Sequence, residues 1–266
     1  MRAASSPAWV TAFLDHGADP EAGGDPGDAG WDGAVGFWAA VTGYARSVPR
    51  GATGQFATLV PPDGAAFLKV QRLDAGADRI HLDLHVADPR AAADHAVTLG
   101  ATEVAADPDG YVVLRSPAGL VHCFVGHPGG SRPAPVVRDG GGTALVDQVC
   151  IDVPPASYDA ECSFWAELTG WERRSSLVST VFSSLLRPDG QPLRFLLQRL
   201  DRAEDPVGAH LDWATTDRAA ETALHVALGA TVESVHPVWT VLVDPAGRRY
   251  CLTDRDPATG LLPPPR

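Results

Sequence analysis

Apolar and polar positions alternate at two periods along this chain, and the order of the periods repeats. Residues 8–15 alternate as a strand, and residues 34–43 carry apolar side chains at helical spacing up to Thr42-Gly43. Glycine at that end suits a left-handed cap. Residues 55–60 and 66–73 flank Pro61-Pro62-Asp63-Gly64 as a hairpin. A strand at Ile80-His81-Leu82-Asp83-Leu84 then leads into a helix that starts at Asp88-Pro89 and closes at Gly100. Residues 111–115 and 120–125 flank Pro117-Ala118-Gly119 as a further hairpin. After residue 143 the order returns. A strand over 146–153 precedes a helix over 158–168 closed by Gly170, and 180–186 and 193–200 flank Pro188-Asp189-Gly190. The strand Ala209-His210-Leu211-Asp212-Trp213 follows, then a helix from Asp217 to Gly229, then 239–243 and 248–253 about Pro245-Ala246-Gly247.

The two halves match residue by residue as well as element by element. His81 lies nineteen residues before Gly100, and His210 lies nineteen before Gly229. Phe37-Trp38 matches Phe164-Trp165, Gln71-Arg72-Leu73-Asp74 matches Gln198-Arg199-Leu200-Asp201, and Cys123 matches Cys251. Such recurrence marks a duplicated unit. A weaker repeat inside each half gives the order βαβββ twice, four modules in all. The boundaries are a first domain over 1–125, a Gly/Pro-rich linker over 126–143, a second domain over 144–255 and a loose tail over 256–266. The loops 16–30 and 172–180 border the expected pockets, and the acidic run 201–205 reads as a solvated loop.

Bulk properties narrow the function. The formal net charge of −12 repels phosphate backbones and anionic lipid, so neither nucleic acid nor a membrane surface is an expected partner. No apolar run approaches the ~20 residues that span a bilayer, and no apolar signal core follows Met1. Four cysteines without Cys-x-x-Cys spacing suit a reducing, cytoplasmic setting. Phosphate-loop, Gly-x-Ser-x-Gly and His-Glu-x-x-His motifs are absent.

The module order, the Phe-Trp…Thr-Gly run after the first strand, the His-Leu-Asp that opens the fifth strand and the Pro-Ala-Gly before the last together resemble the vicinal-oxygen-chelate superfamily. This is the group of glyoxalase I, extradiol dioxygenases and bleomycin-binding proteins, and the look is that of tandem glyoxalase-like domains of actinobacterial type. The resemblance implies an α+β fold: two tandem glyoxalase-like domains, each of two βαβββ modules that curve into a half-barrel sheet with helices on its outer face. It also implies an internal pseudo-dimer within a monomer, or a homodimer. Metal-dependent members place His or Gln on strand one, Glu on strand four, His on strand five and Glu on strand eight. The second half offers Gln148, Gln198, His210 and Cys251 there, and the first half Thr11, Gln71, His81 and Cys123. The carboxylates are missing from both halves.

The favoured expectation is therefore no metal, with Zn, Fe, Mn or Ni on His210, Gln148, Gln198 and Cys251 as the alternative. Period two puts Gln148 with Cys150 and Asp152, His210 with Asp212, and Arg249 with Cys251 and Thr253, each opposite an apolar strand face. A small-molecule pocket would draw on Gln148, Gln198, His210, Asp212, Arg249 and Cys251, with Trp171 at its rim and His81, Asp83 and Gln71 in the first half. His81, Asp83 and His85 share one strand face and could meet an ion, although a hydrogen-bonded polar strand explains them as well. His210 oriented by Asp212 has the form of a general base, and the same pair equally fits a structural network. Buried cysteines are more often small hydrophobes than nucleophiles. The reading is a protein that binds a small metabolite or antibiotic. A lyase, isomerase or dioxygenase that uses a metal or the His210–Asp212 pair is the alternative.

Overall fold

The computed structural model describes residues 6–17, 28–108, 110–176, 179–203 and 206–263. The first half gives β1 (Trp9–His16), α1 (Asp28–Thr42), β2 (Ala45–Arg46), β3 (Phe56–Val60), β4 (Leu68–Arg72), β5 (Arg79–His85), α2 (Pro89–Thr98), β6 (Thr102–Ala106), β7 (Val112–Arg115) and β8 (Val121–Val125). The second gives β9 (Val136–Val137), β10 (Thr143–Val153), α3 (Tyr158–Thr169), β11 (Arg173–Ser175), β12 (Phe182–Leu185) and β13 (Arg194–Arg199). It continues with β14 (Gly208–Thr215), α4 (Arg218–Ala227), β15 (Thr231–Val235), β16 (Trp239–Val243) and β17 (Arg249–Thr253). One sheet runs β2-β3-β4-β1-β5-β8-β7-β6 and the other β11-β12-β13-β10-β14-β17-β16-β15. Both are mixed: β5 pairs with β8 and β14 with β17 in parallel, while hairpins such as β7–β8 and β16–β17 are antiparallel. The α+β architecture of repeated modules is the one expected.

Local chemistry explains the helix ends. Asp88 accepts from the Ala91 amide at 3.0 Å and Asp217 from the Ala220 amide at 3.0 Å, so both second-module helices start where an aspartate satisfies a free donor. Gly170 ends α3 at φ 69°, where a side chain would be strained. Helix α1 begins at Asp28, earlier than residue 34. Trp31, Val35 and Trp38 are buried on it, but Gly30, Gly33 and Gly36 depress its helical propensity.

The backbone divides into two compact units that each combine segments of both halves. One holds Met1–Phe13, Ile80–Arg132 and Val149–Ala209; the other holds Leu14–Arg79, Pro133–Gln148 and His210–Arg266. In the first unit the core centres on Trp165, fully buried beside Phe164, Phe195 and His122. Burial pulls the His122 imidazole down to about 4, so it is neutral at neutral pH. Trp165 Nε1 donates to Glu161 Oε1 at 2.7 Å, and Glu161 Oε2 accepts from the Ala118 amide in the β7–β8 turn at 2.9 Å.

In the second unit Trp38 packs on Tyr250, and its Nε1 donates to Asp244 Oδ2 in the β16–β17 turn at 2.9 Å. The matched tryptophans thus both find a carboxylate, one on its own helix and one on a turn. His225 is buried between Glu221 and the Tyr250 hydroxyl, at 3.1 and 2.9 Å. Arg138 binds Glu221 at 2.5 Å and the Val41 carbonyl at 2.6 Å.

Two expectations are corrected here. The segment 126–143 is not wholly irregular: Val136-Val137 form β9, which pairs with β10 through Thr143↔Val137, and Arg138 pins the segment. The β-branched pair supplies the local strand preference between glycines and prolines. The tail is ordered past Asp256, whose Oδ1 accepts from the Ala258 and Thr259 amides at 3.1 and 2.8 Å. The expected loops 16–30 and 172–180, the acidic run 201–205 and the end of the tail fall partly on residues 18–27, 177–178, 204–205 and 264–266, outside the described residues.

Candidate functional site

Strand β14 sets the site of the second half. Its alternation buries Leu211 and Trp213 on one face and turns His210 and Asp212 to the other. Asp212 stands in register with Cys251 of the parallel strand β17. His210 Nε2 is 3.3 Å from Asp212 Oδ1, and Gln148 Nε2 donates to Asp212 Oδ2. The side chain of His210 is 15% exposed and that of Asp212 5%, so the imidazole is the part of the pair that water can reach. Burial alone would raise the Asp212 carboxyl. The hydrogen bonds from His210 and Gln148 and the charges of His210 and Arg255 outweigh it and hold the group below the usual aspartate range. Arg255 is buried against Asp147, which places a second buried ion pair behind the first. An imidazole aimed by an ionised carboxylate can hydrogen-bond a ligand or move its proton.

Strand β5 repeats the motif with different neighbours. His81, Asp83 and His85 are all buried. The His81 ring stacks on Phe13 at 4.4 Å and 14°, and its Nε2 is 3.8 Å from Asp83 Oδ1. Asp83 is in register with Cys123 on the parallel strand β8. One ligand atom each from His81, Asp83 and Cys123 lies within 4.8 Å of the other two. His85 turns elsewhere: its Nε2 meets Thr11 Oγ1 at 2.9 Å and its Nδ1 faces the His127 carbonyl at 3.3 Å. His81 and Asp83 thus stand with Cys123 rather than with His85. Residues two apart on a strand are ~7 Å apart, whereas an in-register neighbour is ~5 Å away.

The remaining expected residues divide. Gln198 on β13 places its oxygen 3.7 Å from Cys150 Sγ, and Gln71 on β4 lies opposite Phe56. Arg249 does not line a pocket as expected: its side chain is 68% exposed and bidentate to Glu233 at 2.6 and 2.7 Å. It starts its strand, where a long cation reaches across β16 to the acid on β15. Trp171 is not at a rim but buried against Phe195 at 5.3 Å. Asp147 and Arg255 went unnoticed in the sequence, although Asp147 interrupts the apolar face formed by Val149, Ile151 and Val153. A charge on such a face demands a buried partner.

Two groups of donors, His81 with Asp83 and Cys123 in the first half and Cys150 with His210 and Asp212 in the second, each bring their ligand atoms within 4.8 Å of one another, while the strand-one side chains are engaged elsewhere. The amide of Gln148 is spent on Asp212, and the hydroxyl of Thr11 is spent on His85.

Two mixed sheets of repeated βαβββ modules, with a His-x-Asp strand in each, define the vicinal-oxygen-chelate fold. The chain belongs to the family of the glyoxalase-like domain, which matches residues 27–125 and 148–253. The Mn(II)-bound glyoxalase of Novosphingobium aromaticivorans is similar over 100% of this chain and 89% of its own, with a TM-score of 0.61 at 15% identity. A triple mutant of 4-hydroxymandelate synthase from Streptomyces coelicolor is similar over 96% and 94%, with a TM-score of 0.57 at 16% identity. A 2,3-dioxygenase from a Pseudomonas species is similar over 98% and 94%, with a TM-score of 0.60 at 12% identity. At such identities the likeness is one of fold. No curated protein matches the chain. Among the described residues no helix is long and apolar enough to cross a membrane.

Proposed function

We propose that the chain binds a small organic molecule, a metabolite or an antibiotic, on the sheet face that carries His210, without the superfamily's metal. Its two glyoxalase-like domains would span 1–125 and 144–255. The observation that carries this reading is the commitment of Gln148 to Asp212: the strand-one amide that would hold an ion instead donates to a buried carboxylate beneath a reachable imidazole. Such an array recognises a polar organic group through His210, with the charge below it setting the ring's orientation. Four buried free thiols suit a reducing compartment.

Turnover by the same pair is the second reading, favoured by the His210–Asp212 separation of 3.3 Å. It would be proton transfer of the lyase or isomerase type. Native mass spectrometry of the full chain, purified without chelator, tests the binding claim. An organic mass held by the wild type and lost in His210→Ala, at unchanged melting temperature, supports it. A mass retained by the variant contradicts it.

A further inference from the structure

We propose that Tyr250 is a redox-active tyrosine with His225 as its proton acceptor: when an external oxidant of the oxyl-radical or photo-oxidised-dye class takes one electron, the phenol becomes a neutral tyrosyl radical inside the second unit. This activity is separate from the His210 face and independent of its proposed function.

The hydrogen bonds fix where each proton sits. Arg138 and His225 both donate to Glu221, at 2.5 and 3.1 Å. Burial alone would raise the Glu221 carboxyl, and the bonds from His225 and Arg138 outweigh it and hold the group below the usual glutamate range. A carboxylate only accepts, so His225 Nε2 carries a proton. Burial pulls the imidazole below its ordinary range, so the ring is neutral and its Nδ1 is an acceptor. The Tyr250 hydroxyl, 2.9 Å from Nδ1, is then the donor. Hydroxyl, imidazole and carboxylate form one directed chain that ends on a guanidinium.

Such a chain suits proton-coupled oxidation. Tyr250 and His225 are fully buried, and burial with the charges of Asp244 and Glu221 pushes the phenol far above its ordinary range, so a phenolate does not form. Loss of an electron reverses this, because a phenol radical cation is a strong acid. The Oη–H bond breaks, the proton crosses to Nδ1 to form the imidazolium, and the electron passes to the oxidant. The new positive charge rests against the Glu221 carboxylate. Reduction returns electron and proton by the same route.

The neighbours of the pair extend the path. The phenol ring lies 5.4 Å from the Trp38 ring, and the imidazole lies 5.0 Å from Trp213. Indole is oxidised by the same class of oxidant, so Trp38 can draw its electron from Tyr250 across that contact. The positions of the first half that match His225 and Tyr250 hold Ala96 and His122, so the tyrosine–imidazole pair belongs to the second copy alone.

The test is laser flash-quench oxidation of the full chain by a ruthenium(III) tris-diimine, read by transient absorption and freeze-quench electron paramagnetic resonance. The wild type should give a tyrosyl radical. Tyr250→Phe should remove it, and Tyr158→Phe, which deletes a hydroxyl that donates to the Leu197 carbonyl, should leave it unchanged. His225→Gln keeps a hydrogen-bond partner that takes no proton and should slow radical formation tenfold or more, whereas a merely structural imidazole predicts the wild-type rate. His210→Ala should leave rate and yield unchanged. A wild type with no tyrosyl radical overturns the proposal whatever the variants do. So does a radical that survives Tyr250→Phe or forms at the wild-type rate in His225→Gln. Should a variant fail to fold, electron–nuclear double resonance of the wild type labelled with ¹⁵N-histidine decides: a ¹⁵N coupling to the radical supports transfer to His225 and its absence refutes it.

Discussion

The strands β5 and β14 carry the same His-x-Asp pair, yet the two carboxylates keep different company. Asp83 lies near His81 and Cys123, with a phenyl ring across the imidazole. Asp212 takes a hydrogen bond from Gln148, and Arg255 and Asp147 are paired behind it. The motif alone therefore does not define a site. The residues that β1 and β10 present across from it do: Phe13 and Thr11 in one copy, Gln148 and Asp147 in the other. Both copies hold a His, an Asp and a Cys whose ligand atoms lie within 4.8 Å of one another, Cys123 in the first and Cys150 in the second, and the copies differ in what the first strand sets beside them.

The deepest difference is the buried Arg255–Asp147 pair, since Val10 and His127 stand at the matching positions of the first half. Arg255→Met leaves Asp147 buried without its partner and should cost about 3–5 kcal/mol in urea denaturation. Arg255→Met with Asp147→Leu should recover most of that loss. His127→Ala, on an exposed segment, should leave the melting temperature where it was. A mild effect of Arg255→Met would mean that the second half does not depend on this pair.

Each core buries an imidazole. His122 packs on Trp165 in one unit, and His225 lies against Tyr250 in the other. An imidazole held at about 4 when folded and 6.5 when unfolded binds more protons in the unfolded state, so stability rises with pH between those values and is lost as pH falls. From pH 7.5 to 4.5 the loss from this residue is on the order of 2–3 kcal/mol. His122→Phe should remove that portion of the pH dependence in paired thermal melts, and an unchanged pH dependence in the variant would contradict it.

Removing the strand-one partner gives the smallest effects. Gln148→Ala takes a charge-assisted hydrogen bond from a buried carboxylate and should cost about 2 kcal/mol. Its counterpart Thr11→Val breaks the bond to His85 and should cost about 1 kcal/mol. Gln148→Ala should also raise the Asp212 carboxyl, so that stability is lost at higher pH as acid is added; an unchanged acid limb would separate Gln148 from the network.

Much of the fold was legible because its signals are local. Asp88, Asp217, Gly170 and Gly229 mark helix ends by their own chemistry, and all four expected hairpins announce themselves with Pro-Asp-Gly or Pro-Ala-Gly turns. The edge strands β6 and β15 were not located, because Thr102–Ala106 and Thr231–Val235 lie at sheet edges and expose most of their residues, which leaves no alternation to read. His210 and Asp212 were legible through repetition and spacing. Cys123 as a partner of Asp83 was not, since it depends on the register of two parallel strands about forty residues apart. Arg249 misled for the opposite reason: alternation gives its face but not the acid that captures it.

The central claim is that the copies differ in binding, with the ligand held on the His210 face. Native mass spectrometry of the full chain, as wild type, His81→Gln and His210→Ala purified without chelator, tests it directly. The account predicts that the organic mass is lost from His210→Ala and kept by His81→Gln. Its loss from His81→Gln with retention in His210→Ala would contradict it.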